Sequence, residues 1–490
     1  MTDEVFGLKQ IFGLKIKEIR QEKGITYQQL REETGLSVSY LSEIENGKKY
    51  PKSDKIMLLS KALKVQYDDL VSLKVPKKLQ PISDLVQSDF FRAFPLKEFG
   101  LDPQKLVEIV SQDPTKVNAF INTILQISRN YELKNEKFFN AALRSYREIQ
   151  NNYFEELEES ASELNLEFIE LTEIPFSQKT LSTILLQLGV RTEFQQFSKE
   201  AGLQDIRSVY QPNLRKLLIN KGLHPGQINF ILSREIAFQW LRLKKRSFST
   251  PAVGAQDFES ILNNYRASYF AAALMMPEKM LVEDFRRFAH QDKWNPKSLV
   301  DLLRKYNVTP EMLFQRLANV LPKHFDLKGL FFLRFVGEKG HFNLTKELHL
   351  TNPQNQHGNE LNESYCRRWL SLQGIDEVLK QEGKGVLAKA QVEKYLATNN
   401  EYLCLSLAFP NVSNPSEAIS VTVGFLVNKK SKEHLQFLSD PDIQFKEVNT
   451  TCERCELVDC QERASSASLY EKLTKEKLKH TGVAELIAQH

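Results

Sequence analysis

Three cysteines within nine residues are the most chemically suggestive feature of the chain: Cys452, Cys455 and Cys460 form a C-x2-C-x4-C run. A C-x2-C pair can bring two thiolates to one metal ion, and a third sulfur nearby extends the donor set. A fourth donor must come from elsewhere. Cys366, in SYCRRWL, is the candidate, whereas Cys404 lies in an apolar strand pattern and reads as core. The chemistry is then a structural zinc ion or an iron–sulfur cluster. The competing reading is a set of reduced thiols that ties down a loop. No single histidine stands out as a further ligand. His341 and His349 fall at the two ends of one predicted strand, roughly 26 Å apart at strand rise and too far to share an ion.

A second cluster lies at residues 24–51, GITYQQLREETGLSVSYLSEIENGKKYP. Thr26 followed by Gln29 is a capping box and starts a helix. Leu30 is its inward apolar residue. Gly35 sits where a turn between two helices needs positive φ. Ser37 can cap the next helix, with Leu41 and Ile44 on its buried side. Asn46 and Gly47 end it. A second helix that begins with short polar residues is what base-edge reading in a major groove requires. Ser37, Val38, Ser39 and Tyr40 occupy that start, and Glu43 lies one turn on. Thr26 and Tyr27 stand at the first helix N-terminus, where free N–H groups suit phosphate. Asn46, Lys48 and Lys49 are placed for backbone contacts. The stretch resembles the XRE/Cro-type helix-turn-helix, with Leu41, Ile44, Glu45, Gly47 and Pro51 in that family's closing pattern. Arg31 stands where the family usually has Ala, a departure expected to tilt the helix pair slightly. Residues 1–75 hold 13 basic and 11 acidic side chains, so the charge is modest for a DNA binder. A helical hairpin for protein contacts is the bland alternative.

A third stretch, NLRKLLINKGLHPGQINFILSREIAFQWL, resembles the approach to the active helix of the ImmA/IrrE-type metallopeptidases. There, two His one turn apart hold Zn²⁺ and a Glu acts as general base. In this chain the first His falls on Arg234, the base on Glu235 and the second His on Phe238. The later RASYFAAALMMP places Arg266 at the glutamate ligand. Arg is always cationic and Phe has no lone pair, so no zinc and no peptidase activity are expected here. Glu235 is expected to pair with Arg234 or Arg266. The cleft reads instead as a ligand pocket with Phe238, Trp240, Tyr269, Phe270, Met275 and Met276 as walls and the two guanidiniums as anion holders.

Together these features resemble the short-chain fatty acyl transcriptional regulators. That resemblance implies control of acetate- or propionate-type metabolism, with an acyl-CoA or related metabolite as effector. Ligand-binding residues would be Arg234, Glu235, Phe238, Arg266, Tyr269 and Phe270, and the partner would be double-stranded DNA bound by a homodimer. The alternatives are an iron–sulfur or thiol redox-sensing regulator, or a metallopeptidase acting on a protein partner.

These residues need a scaffold. The chain has 490 residues, 41% hydrophobic and 26% charged, with a net charge of +4. That excludes a polycation, and five cysteines exclude a secreted disulfide framework. A reducing cytoplasm is expected. MTDEVFGLKQ has no apolar h-region, and the longest apolar runs are about half a membrane span. Amphipathic periodicity predicts a multidomain, mainly α chain with a C-terminal α+β domain. The predicted units are an N-terminal five-helix helix-turn-helix domain at 1–75, a helical bundle or connector at 76–165, a degenerate ImmA/IrrE-like domain at 166–324 and an α+β domain at 325–490. Within them, a strand is predicted at 167–171, followed by helices. A hairpin spans LFFLRFV-GEKG-HFNLTKELHL, two strands run through EYLCLSLAF and EAISVTVGFLV, and a final helix covers 468–489.

Overall fold

The computed structural model describes residues 8–72, 135–168, 174–197, 202–203, 205–253, 257–350, 363–381, 385–412 and 414–488. Most of the bundle expected at 76–165 lies outside them. The chain divides into two compact units, the first running to Tyr146 and the second from Arg147, with Ala255–Phe258 assigned to the first.

The first unit begins with five helices, α1 (Leu8–Glu22), α2 (Tyr27–Thr34), α3 (Val38–Glu45), α4 (Ser53–Ala62) and α5 (Tyr67–Val71). Phe12, Ile16, Leu30, Leu41, Ile44, Leu59 and Leu63 close one core between them. The predicted punctuation is present. Thr26 and Gln29 form the capping box, Gly35 ends α2 in the left-handed region at φ 68°, and Ser37 caps α3. Gly13 marks a close helix crossing. A Cβ there would stand 2.2 Å from the Ile44 carbonyl oxygen, so only glycine lets α1 lie against α3. The Arg20–Glu45 pair, 2.6 Å apart with Glu45 fully buried, fastens the same two helices.

The second unit continues from α6 (Asn135–Ile149), which crosses the boundary, into α7 (Glu155–Phe168) and α8 (Gln178–Gln187). Residues 167 and 168 of the predicted strand are the end of α7, and 169–171 lie outside the described residues. Sequence reading also missed a four-stranded sheet. It consists of β1 (Arg191–Gln195), β2 (Ser208–Gln211), β3 (Lys216–Asn220) and β4 (Ser249–Thr250), in the order β1-β3-β2-β4. Strands of two to five residues carry too little alternation to announce themselves. The helix α9 (Pro225–Trp240) follows β3, and α7, α8, α9 and α10 (Phe258–Met275) share a core around Leu164, Leu185, Ile219, Leu232 and Phe270. The buried Arg316 binds Glu158 on α7 through Nη1, and through Nη2 at 2.8 Å. Burial pulls the Arg316 guanidinium down, but Glu158 outweighs it and holds the group above its ordinary value.

Three more helices, α11 (Glu278–Ala289), α12 (Pro296–Tyr306) and α13 (Pro310–His324), lead into a six-stranded sheet. Its strands are β5 (Leu330–Glu338), β6 (His341–His349), β7 (Leu387–Tyr395), β8 (Glu401–Pro410), β9 (Ala418–Leu426) and β10 (Gln444–Val448), in the order β10-β7-β8-β9-β5-β6. The predicted hairpin is β5–β6, with a register shift at Arg334/Phe335. Both sheet faces are covered. Leu403, Leu405, Leu407, Val421 and Val423 face a core shared with α11–α13. Phe331, Phe335, Tyr402 and Cys404 belong to a second core with α14 (Leu370–Lys380). The period-2 alternation of a strand therefore sorts side chains between two cores, and β8 and β9 read as continuous apolar runs. The first of these cores runs across the boundary expected at 324/325, so the helices before it and the sheet after it fold together. The short helix α15 (Lys429–His434) and the final helix α16 (Ser468–Ala488) complete the unit.

Candidate functional site

On α3, Leu41, Ile44 and Glu45 turn inward. At 3.6 residues per turn the remaining side chains face out, apart from Tyr40, which packs partly against the core. Val38, Ser39, Asn46, Lys48 and Lys49 are exposed, and Tyr40, Ser42 and Glu43 are half-buried. Ser37 Oγ accepts the Tyr40 N–H at 3.2 Å, which fixes the start of the helix. Glu43 binds Lys49 at 2.7 Å, and Lys49 Nζ stands 5.6 Å from the Tyr40 ring centre. Asn46 Nδ2 donates to Ser42 Oγ at 3.3 Å. Ser42, one turn beyond Ser39 on the outward side, went unnoticed although the helical period points to it.

The side chains at the start of α2 are partly engaged within the protein. The Tyr27 hydroxyl donates to Glu45 Oε2 at 2.6 Å and the Arg20 guanidinium lies 4.2 Å from its ring centre. Burial and that carboxylate push the phenol up to about 12. Tyr27 thus braces the two helices, and its hydroxyl is already engaged by protein. Arg31 is exposed in the last turn of α2. Thr26 is exposed, with its hydroxyl and N–H both used by Gln29 in the capping box.

The second candidate lies between α9 and β2–β4. Arg234, Glu235 and Phe238 line one small cleft with Ser208, Tyr210, Arg246, Phe248 and Thr250. The carboxylate of Glu235 is held by Arg246, not by Arg234 or Arg266. Arg246 Nη1 donates to Oε1 at 2.8 Å and Nη2 to Oε2 at 2.5 Å, while Gln239 Nε2 donates to Oε1 at 2.7 Å. The Arg246 guanidinium also sits 3.5 Å from the Phe238 ring centre. A protein cation therefore lies against both the base position and the second histidine position. Arg234 donates to Thr250 Oγ1 and Asn264 Oδ1, and burial with the neighbouring Arg246 pulls it down to about 10.

The other expected wall and ligand residues are elsewhere. Arg266 is half-buried and does not line the cleft. The Tyr269 hydroxyl donates to Glu158 Oε1 at 2.7 Å, and burial followed by that carboxylate raises it well above its ordinary value. Phe270, Met275 and Met276 are core, and Trp240 Nε1 donates to Ser160 Oγ. Arg246 escaped sequence reading because it stands 11 residues past Glu235, beyond the helix end, and no periodicity links them.

The third candidate gathers all four expected cysteines. A short antiparallel bridge pairs Tyr365 with Thr451. Around it the Cys366 N–H donates to the Thr450 carbonyl at 3.2 Å and the Cys452 N–H to the Ser364 carbonyl at 2.8 Å. Glu453 accepts the Ser364 N–H at 3.0 Å, and Arg454 clasps Glu363 at 2.7 Å. These contacts bring a residue 86 positions upstream beside the C-x2-C pair. Cys366, Cys452, Cys455 and Cys460 line one cavity with Arg463. Burial pushes the Cys366 thiol up to about 12 and raises Cys455. Cys404 is core, with its thiol on Glu393. All-sulfur donors suit zinc or an iron–sulfur cluster, and a buried Arg463 Nε without a partner adds a donor on the cavity wall. Among the described residues no three His, Cys, Asp or Glu side chains are grouped so as to hold a single ion as they stand.

With this geometry in hand, the comparisons with known proteins define the class. Residues 16–70 match the family described as Helix-turn-helix, and residues 185–318 match the one described as IrrE N-terminal-like domain. The chain thus carries an XRE-type helix-turn-helix DNA-binding domain followed by an IrrE-like domain. Its curated relatives include the HTH-type transcriptional regulator RamB of Mycobacterium tuberculosis, in strains CDC 1551 / Oshkosh and ATCC 25618 / H37Rv. Each is 21% identical over 489 residues, covering 94% of this chain and 95% of the relative. A solved structure of a Mycobacterium tuberculosis transcriptional regulator aligns with TM-score 0.48 and 16% identity, over 67% of this chain and 93% of that one. No helix among the described residues is long and apolar enough to cross a membrane.

Proposed function

We propose that the protein is a DNA-binding transcriptional regulator whose second unit senses a metabolite and does not catalyse. The observation that carries this reading is the exposed side of α3, where Val38, Ser39 and Asn46 stand outward on a helix locked from within by Leu41 and Ile44. Ser39 and Val38 meet base edges, and Lys48 meets phosphate. The full-length resemblance to RamB supports the regulatory role. Selection of genomic fragments on the purified protein tests it. A preferred, roughly palindromic site is expected of a homodimer. Ser39→Ala relaxes base preference, whereas Lys48→Ala weakens all sequences alike and reduces the salt slope by about one. Absence of any preferred fragment at low ionic strength defeats the reading.

The IrrE-like cleft supports a non-catalytic role because Arg246 already fills the general-base carboxylate with a fixed cation. A short-chain acyl-CoA or related metabolite is the effector we propose, on the strength of the regulator resemblance. A ligand that binds only the folded state raises the melting temperature, so a thermal-shift series of acyl-CoAs and short acids tests it. For Cys366, Cys452, Cys455 and Cys460 we propose a bound metal. The four-thiol donor set suits zinc or an iron–sulfur cluster, and with a cluster a redox-sensing role is compatible with metabolite sensing. A brown anaerobic preparation with iron and sulfide supports this. Zinc alone points to a structural site.

A further inference from the structure

Arg463 has a more unusual set of partners than any other residue on the cysteine cavity. Its Nη1 donates to the Cys452 carbonyl at 2.6 Å and the Ser465 carbonyl at 3.2 Å. Its Nη2 donates to the Cys455 carbonyl at 3.0 Å and the Leu457 carbonyl at 2.7 Å. One guanidinium thus gathers four backbone carbonyls from a 14-residue loop, two of them belonging to cysteines. The loop's own backbone follows the same curl. The Cys460 N–H donates to the Leu457 carbonyl, and the Arg463 N–H to the Cys460 carbonyl. The next residue, Ala464, donates its N–H to Cys452 Sγ at 3.3 Å.

Two things are left over. The Nε–H of Arg463 is buried and has no hydrogen-bond partner among the described residues. A buried donor left unmade costs about 1–3 kcal/mol, more for a charged group. The hydrogen-bond partners of the cation are all carbonyls, with no carboxylate among them. Both leftovers sit on the wall of a cavity whose other lining includes four sulfurs. A metal centre ligated by thiolates carries excess negative charge and accepts N–H···S hydrogen bonds. It would satisfy both.

We propose that Arg463 is the positioning residue of the cysteine site: it shapes the loop that carries Cys452, Cys455 and Cys460 and gives its free Nε–H to a sulfur of the bound centre. The inference rests on the metal reading above and deepens it. Arg463 touches no ligand sulfur in the structure, so it acts through the backbone and through outer hydrogen bonding, the kind of support that commonly sets metal affinity by 10- to 100-fold. Lysine keeps the charge but loses the planar fork, and glutamine loses both.

The full chain, as wild type, Arg463→Lys and Arg463→Gln, is reconstituted anaerobically with ferrous iron and sulfide, and separately with zinc. Metal per chain, the rate of removal by a chelator and, for the iron form, the midpoint potential are measured. Expected is metal on the wild type, removal roughly 10- to 100-fold faster in Arg463→Gln, and an intermediate rate in Arg463→Lys. With iron, both variants shift to a more negative potential, because an N–H···S bond favours the reduced state. Circular dichroism monitors folding, and if Arg463→Gln fails to fold, Arg463→Lys decides. Wild-type release rates and an unshifted potential in the folded variants overturn the role of Arg463 while leaving the metal site intact. A wild type that takes up neither iron nor zinc overturns the metal reading, and this inference with it.

Discussion

The IrrE-like cleft and the cysteine cavity lie within one compact unit and differ in how their polar side chains are partnered. In the cleft, Arg234 and Phe238 offer no metal donor, and Arg246 lies bidentate on Glu235. The carboxylate's charge is answered from within. In the cavity, four sulfurs and an unpartnered Arg463 Nε line a common space. Each site also keeps one buried arginine Nε, that of Arg234 and that of Arg463, without a hydrogen-bond partner among the described residues, so the contrast rests on the Glu235–Arg246 pair and on the cysteine donor set.

Breaking the cavity should give the largest effect. Cys452→Ser should take bound metal from stoichiometric to near zero, measured by elemental analysis, while Glu235→Gln leaves it unchanged. Zinc or iron that survives the serine variant would remove the contrast. Next comes Arg246→Ala, which strands the 2% exposed Glu235 carboxylate. Losing one partner of such a pair costs about 3–5 kcal/mol, readable as a lower denaturant midpoint. An Arg246→Ala chain of wild-type stability would show that the cation is not what finishes the cleft.

A third carboxylate sharpens the comparison. Glu393 is buried like Glu235 but its donors are neutral: the Leu370 N–H at 2.7 Å, Gln391 Nε2 at 3.0 Å, the Tyr395 hydroxyl at 3.5 Å and the Cys404 thiol. Burial pushes it up to about 7, against which those donors pull weakly. The folded state therefore holds a proton that the unfolded chain releases near its ordinary value of 4.5. Its contribution is complete below pH about 4.5 and is lost as pH rises through about 7. Glu393→Gln should remove this slope and stabilise the protein at pH 8 by roughly 2–3 kcal/mol, seen in denaturant melts at pH 5 and 8. The smallest effect is expected in the first unit. Tyr27→Phe should cost about 1 kcal/mol of stability and leave DNA affinity nearly unchanged, because its hydroxyl serves Glu45. A large loss of affinity in a fully folded variant would return Tyr27 to the DNA surface.

Much of the helix-turn-helix was legible because its determinants are local. Thr26 with Gln29, Gly35 and Ser37 each act within three residues, and Leu41 with Ile44 sets the buried side of α3. The strands β5, β6, β8 and β9 were legible from length and alternation. The cleft was half legible. The motif gave Arg234, Glu235 and Phe238 their places, but the expected walls Tyr269 and Phe270 are core, because a helix buried on most sides shows no preferred face. The four-stranded sheet was illegible, since β1–β4 are short and polar at alternate ends.

The order of the residues by itself determined which segments coil, where each coil starts and stops, and that three thiols share one loop. Those outcomes follow from hydrogen bonds and steric limits that close over a few residues. Only the tertiary structure decided that Arg246 takes Glu235, that Tyr27 turns to Glu45, and that Cys366 arrives beside Cys452 across 86 positions. Such partners are chosen by burial. A charged or polar group removed from water must find whichever complement the folded core brings to it, and that choice has no signature in the local sequence.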